Sequence, residues 1–419
     1  MIGGEGPESN AWVTNEDLPW INYAKNVSAN VYVLEHHYYG ESKLGTNDLQ
    51  YLTSAQMLYD VSQFISIVNR DRNQTGPWIT FGGSYSGALA AWSREWFPEL
   101  IIGAVGSSAT VQAKTDFYEY IQVVESVMHA KSQNCSQEAF EKLRQMTLDA
   151  SGRANISETF NLVPAWTNNV NLPVPAIKIQ NVFAQLIGVF QDVVQYSDVN
   201  NNKLYDASLK ICSSKNIQVV MNFPINIFFR FVQQWVYNNY ENLETGNDPE
   251  NDFNEMIDML HYVDGRSDPV GTKPFSDNDL AGVLWSWMTC NEFGYYQTTD
   301  YGYGIFGNPV PVNFQVAMCE KVFGAKMNHI EKGVARTNYQ YGGRARFSAT
   351  NVVLPNGNHD PWHTMGILEQ GKMDESVVPI LIEGTAHCAD MYPAREQDPP
   401  QLVQARETIL ENIKKWLDG

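Results

Sequence analysis

Three residues of this chain have the types and the chain order that nucleophilic hydrolysis needs: Ser84, Asp360 and His387. Ser84 lies in Phe81-Gly82-Gly83-Ser84-Tyr85-Ser86-Gly87, with glycine two places before it and the small Ser86 two places after. A serine hydroxyl is a weak nucleophile until a base takes its proton. His387, in Gly384-Thr385-Ala386-His387-Cys388, offers an imidazole that can take that proton and later return it to a leaving group. Asp360, in Asn358-His359-Asp360-Pro361, offers a carboxylate that can hold the imidazole in one tautomer and stabilise its charged form. Each has a competitor. Ser86 has Ser84, not glycine, two places before it, and Asp390 follows the histidine instead of preceding it. An aspartate before proline is also common in plain turns.

These residues are useful only if the backbone brings them together. Trp78, Ile79, Thr80 and Phe81 form a short β-favouring run. From Tyr85, small and apolar residues recur at helical spacing (Ala88, Leu89, Ala91, Trp92) until Pro98. A serine on a sharp strand-to-helix turn is the nucleophile elbow of an α/β-hydrolase. Such a turn aims a helix N-terminus at any oxyanion formed there. The Tyr85 N–H is one expected oxyanion donor. The Gly3-Gly4-Glu5-Gly6 loop, with Gly4 at its centre, is the expected source of a second.

Asp360 follows a predicted strand at 351–354 and His387 a predicted strand at 377–382. All three residues therefore fall at C-terminal ends of expected parallel strands, where open α/β sheets place their sites. Further strands are predicted at 30–34 and 101–105, with helices at 54–70 and 400–417. Between these blocks the pattern turns to long amphipathic helices, for example 116–130, 136–150 and 279–296. The expected fold is α/β, an α/β-hydrolase core of mostly parallel sheet. Its two parts are 1–112 and 344–419, and 113–343 forms a large inserted helical cap domain.

Composition sets outer bounds. The chain has 419 residues and a formal net charge of −19, which argues against nucleic acid or an anionic membrane as partner. No apolar run approaches a membrane span. The five cysteines, Cys135, Cys212, Cys290, Cys319 and Cys388, make no zinc spacing, and neither metal nor cofactor is expected. Sequons occur at Asn26, Asn73, Asn134 and Asn155, about as often as chance gives in an Asn-rich chain. Met1 leads straight into Ile-Gly-Gly-Glu-Gly-Pro-Glu, which reads as the end of a strand, so the expectation is that N-terminal strands are missing.

The stretches GGEGP, EHHYYGES, FGGSYSGALAAW, NGNHDPW and GTAHCADM together resemble the serine peptidase family that holds lysosomal prolyl carboxypeptidase, dipeptidyl peptidase II and thymus-specific serine protease. WSWMTCNEFGYYQT and GTAHCADMYP look most like the thymus-specific branch. The resemblance implies an α/β-hydrolase core roofed by a helical domain, and exopeptidase action on short peptides, often at proline. It implies Ser84, Asp360 and His387 as the triad, a lysosomal or secreted location, and homodimerisation. It also implies disulfides, taken as Cys135–Cys212 and Cys290–Cys319, with Cys388 left as a structural thiol. Glu5 is a candidate contact for a peptide amine. Three departures stand out. The family has a signal peptide and strands before GGEGP, usually has arginine where this chain has His37, and has Ser-Ser-Ala-Pro where this chain ends in Thr110. An esterase of the same fold, and a catalytically inactive ligand-binding glycoprotein, are the alternative readings.

Overall fold

The run Trp-Ile-Thr-Phe-Gly-Gly forms the first strand, as its β-branched and aromatic residues favour. The computed structural model describes residues 1–43, 49–73, 76–132, 137–159, 166, 174–197 and 277–419. Six strands form among them: β1 (Trp78–Gly83), β2 (Ile101–Ser107), β3 (Lys114–Asp116), β4 (Gly294–Tyr296), β5 (Val352–Gly357) and β6 (Val377–Ile382). Four make one wholly parallel sheet in the order β1-β2-β5-β6. Its register pairs Gly83 with Ser107 and Gly357 with Ile382, so the C-terminal ends line up along one edge. That alignment gathers the loops carrying Ser84, Asp360 and His387 at one rim.

Residues 30–34 do not form the expected strand. Leu34 makes one parallel bridge with Ile2, whose own N–H reaches the Phe81 carbonyl at 2.8 Å. Beyond Gly3 the chain bends at Glu5 and Gly6, and Pro7 has no N–H to extend a ladder.

Helices cover both faces of the sheet. On one face, helix α1 (Pro19–Asn26) and the C-terminal helix (Pro400–Asp418) bury Leu18, Trp20, Ile21, Ile409, Ile413 and Trp416 against Val105 and Val353. Gly103 makes this possible, since a Cβ there would lie 2.2 Å from the Trp416 ring. On the other face lie α2 (Ser54–Arg72) and α3 (Tyr85–Trp96). The α2 helix starts where the Thr53 side chain accepts from the Gln56 N–H, and it ends at Asn73 with φ +49°. Every residue of α3 from Tyr85 to Ser93 is buried.

The chain divides into two compact units, Met1–Ala113 with Leu280–Phe293 and Glu331–Gly419, and Lys114–Asp279 with Gly294–Ile330. The second holds a separate parallel pair, β3 and β4. It also holds the helices Tyr118–Lys131, Glu138–Met146, Ala150–Thr159, Ala176–Gln195 and Val312–Phe323. Its core includes Phe140, Phe190 and Phe306 with ring centroids 4.9–5.8 Å apart. The helix expected at 136–150 is two helices, because the Asp149 side chain accepts from the Gly152 N–H at 2.8 Å and starts a new one. The helix expected at 279–296 ends earlier. Asp277–Met288 runs into a π-type turn, Thr289–Phe293, and then β4, with Gly294 at φ +68°.

Candidate active site

Ser84 sits between β1 and α3 with φ +59° and ψ −128°, a conformation that side chains rarely adopt. The turn tolerates this only because its neighbours are small. A Cβ on Gly82 would lie 1.9 Å from the Ser86 carbonyl oxygen, and one on Gly87 would lie 2.6 Å from the Ser107 carbonyl oxygen. The Ser86 hydroxyl donates to the Gly83 carbonyl at 2.8 Å, so this second serine is part of the turn. The Ser84 N–H donates to the Ser107 carbonyl at 2.9 Å.

Asp360 follows β5 and is completely buried. One carboxylate oxygen accepts from the Trp362 N–H at 3.0 Å, and the other lies 2.8 Å from His387 Nδ1. His387 follows β6 and is buried. Its Nδ1 donates to the carboxylate, which leaves Nε2 as the nitrogen that can accept a proton. Burial opposes charging this imidazole, but the Asp360 carboxylate prevails and raises its pKa well above the ordinary histidine value. Among the described residues no hydrogen bond joins the Ser84 hydroxyl to His387.

Tyr85 is the first residue of α3, where a backbone N–H has no intrahelical acceptor. Gly4 lies against the same turn, since a Cβ on it would sit 3.6 Å from Ser86 Oγ. Glu5 is half-buried. Burial raises its pKa, and its own backbone N–H and the charge of His387 only partly offset that.

Two features had no forecast in the residue pattern. His36 is fully buried, with Nδ1 2.8 Å from the His37 carbonyl and Nε2 3.1 Å from the Tyr85 hydroxyl. A carbonyl only accepts, so Nδ1 carries the proton and the Tyr85 hydroxyl donates to Nε2. Burial, with His37 beside it, holds the His36 pKa down at about 3. The second feature is the Ser107-Ser108 tip of β2. It touches the loops of all three candidate residues, and the predicted strand at 101–105 stopped short of it. His37 has Nδ1 2.8 Å from the Asp60 carboxylate and Nε2 3.0 Å from the Tyr51 carbonyl.

Cys290 and Cys319 are disulfide-bonded, and Cys388 is a buried free thiol. Cys135, Cys212 and the sequon at Asn134 lie outside the described residues. Asn26, Asn73 and Asn155 are exposed. An apolar cavity of about 420 Å³ lies beside β1, lined by Trp20, Tyr32, Phe64 and Trp78, and none of the three candidate residues lines it. No described helix is long and apolar enough to cross a membrane.

A parallel sheet flanked by helices, with a serine elbow after one strand and an Asp–His pair after two others, is an α/β-hydrolase core. The family model of serine carboxypeptidase S28 matches residues 1–409, and the chain belongs to that family of serine peptidases. The Caenorhabditis elegans protein F56F10.1 is 37% identical over 434 residues, covering 100% of this chain and 77% of the relative. Human thymus-specific serine protease is 29% identical, covering 92% of this chain and 73% of its own. Bovine lysosomal Pro-X carboxypeptidase is 23% identical, covering 97% of this chain and 78% of its own. Among solved structures, epoxide hydrolase VrEH1 from Vigna radiata aligns at 13% identity over 99% of this chain and 92% of that chain. Its TM-score of 0.32 is too low to bear on the fold, which rests on the sheet itself.

Proposed function

We propose that this chain is a serine exopeptidase of short peptides, with Ser84 as nucleophile, His387 as general base and acid, and Asp360 as the group that orients the histidine. The observation that carries the reading is the buried Asp360–His387 contact of 2.8 Å at the same sheet edge as a serine held at φ +59°.

In this mechanism Ser84 Oγ attacks the scissile carbonyl carbon while its proton passes to His387 Nε2. The Tyr85 and Gly4 N–H groups receive the oxyanion. As the C–N bond breaks, His387 returns the proton to the departing amine and an acyl-Ser84 forms. Water, deprotonated by the same imidazole, then releases the acid and regenerates the serine. The hydroxyl-to-imidazole hydrogen bond forms when substrate enters, as such bonds commonly tighten only in the complex. Glu5 is taken as the contact for a peptide amine, since a cation beside it would relieve the unfavourable burial that raises its pKa. Cleavage at proline and a lysosomal or secreted site of action draw support from the name of the bovine relative. Glycosylation at the exposed Asn26, Asn73 and Asn155, a helical cap at 113–343 and homodimerisation belong to the same reading.

The test is hydrolysis of a dipeptidyl-proline amide, a peptide ending in Pro-Xaa and a simple ester from pH 4 to 8, beside fluorophosphonate labelling. Peptide cleavage and labelling that both vanish in Ser84→Ala are the expected result. Cleavage of the ester alone would overturn the peptidase reading, and activity surviving in Ser84→Ala would overturn the triad.

A further inference from the structure

We propose that Asp390 is a positioning residue for the base, acting with the Ser107-Ser108 tip of β2 as a bracket that fixes His387 relative to Ser84. The proposal rests on the triad reading above. Its geometry is a single dipeptide that touches every segment carrying a triad member. The Ser107 carbonyl accepts from the Ser84 N–H at 2.9 Å. The Ser108 N–H donates to the Pro355 carbonyl of β5, the strand that leads to Asp360, at 2.8 Å. The Ser107 hydroxyl donates to an Asp390 carboxylate oxygen at 2.5 Å, and the Ser108 hydroxyl accepts from the Cys388 N–H at 2.9 Å. Ser108 has φ +46°, a bend that lets adjacent residues reach in three directions.

From the other side, Arg406 of the C-terminal helix grips the same loop. Its guanidinium donates to the carbonyls of Ala389 at 3.1 Å, Asp390 at 3.2 Å and Tyr392 at 3.0 Å, and pairs with Asp398 at 2.6 Å. His387 therefore stands on a loop clamped at both flanks, with Asp360 2.8 Å from its Nδ1. Asp390, Ser107 and Ser108 are all buried. A buried carboxylate is costly, and an apolar pair could hold two loops as well. A carboxylate here does something an apolar pair would not, because its charge acts on the imidazole three residues away. The groups facing Asp390 are His387 and Tyr392 of its own loop, Arg406 of the C-terminal helix, Tyr23 of α1 and Ser107 of β2. Burial raises the Asp390 pKa to about 6, while Ser107, Arg406 and His387 favour its charged form.

The experiment compares Asp390→Asn, Ser107→Ala and Ser107→Thr with Ser84→Ala in one peptide assay, reading kcat, KM and the pH profile of kcat/KM. In Asp390→Asn we expect kcat to fall about 10- to 100-fold with KM nearly unchanged, as expected when a reacting group is displaced by a fraction of an ångström. The acid limb should move to lower pH, because a negative charge that favours the imidazolium is gone. Ser107→Ala should lower kcat, and Ser107→Thr, which keeps the hydroxyl, should restore it. A merely structural bond would not move the pH profile. Wild-type kcat and pH profile in a folded Asp390→Asn overturn the proposal. If that variant does not fold, unchanged kcat in Ser107→Ala overturns it instead. Activity surviving in Ser84→Ala would fell the triad reading, whereas its loss there beside a wild-type-like Asp390→Asn would fell the bracket alone.

Discussion

Glu292 should make this protein more stable in mild acid than above neutrality, and Glu292→Gln should remove much of that dependence. Glu292 lies in the π-type turn beside α3, buried, accepting from the Ser54 N–H at 2.9 Å and the Ser54 hydroxyl at 3.1 Å. The Ser54 hydroxyl also meets the Tyr341 hydroxyl at 2.8 Å. Burial pushes the Glu292 pKa from 4.5 up to about 7, and the Ser54 bonds and Arg336 offset this only partly. The sign follows directly. Between those two values the folded protein holds a proton that the unfolded chain has released, so stability falls as pH rises. The contribution is complete below about pH 4.5 and lost above about pH 7. A difference of about 2.5 pH units at about 1.36 kcal/mol each amounts to about 3 kcal/mol. Glutamine suits the site, because its oxygen can accept from the Ser54 N–H while its amide donates to the Ser54 hydroxyl. The assay is urea unfolding at pH 5, 6, 7 and 8, followed by tryptophan fluorescence. Trp92 is a local reporter, stacked on Tyr341 with ring centroids 3.9 Å apart. The wild type should lose about 2.5 kcal/mol more than Glu292→Gln between pH 5 and 8. Parallel curves for the two proteins would refute the reasoning.

Other outcomes can be checked with single variants. Asp360→Asn should lower kcat about 10,000-fold and shift the acid limb of kcat/KM to lower pH, since the lost carboxylate is what raises the His387 pKa; steady-state kinetics reads both. Gly82→Ala forces a Cβ to 1.9 Å from the Ser86 carbonyl, so fluorophosphonate labelling should disappear even where soluble protein is recovered. Trp416→Ala empties the contact over Gly103 between the C-terminal helix and the sheet, and should cost about 3–5 kcal/mol in denaturant unfolding.

The elbow was legible because steric rules write it locally. Glycine two places before the serine and small residues after it have few other uses, and Gly87 meets the Ser107 backbone one place later than the simplest motif asks. The strand before each candidate residue was legible because continuous apolar runs in an α/β chain belong to a buried parallel sheet. Residues 30–34 read equally well as a strand, but ladders depend on what lies alongside, and among the described residues this segment makes a single bridge, Leu34 to Ile2. The Ser107-Ser108 tip, the Asp390 contact and the His36–Tyr85 bond were invisible for a related reason. Serine, aspartate and histidine are common in loops, and their partners lie far along the chain. The split of the 136–150 helix turned on one capping bond from Asp149, a detail below the resolution of periodicity.

The sheet also sets a schedule for synthesis. Its middle strands β2 and β5 pair Ala104 with Val352, and the bracket joins Ser107 to Asp390 across a sequence separation of 283. A ribosome finishes the serine elbow long before the aspartate, the histidine and the helix carrying Arg406 emerge. Closing so long a loop makes such contacts slow to form. On the proposed triad, a nascent chain would display Ser84 before its base, His387, has been made. The order of the segments therefore separates Ser84 from its proposed base until β6 and the loop after it have been made.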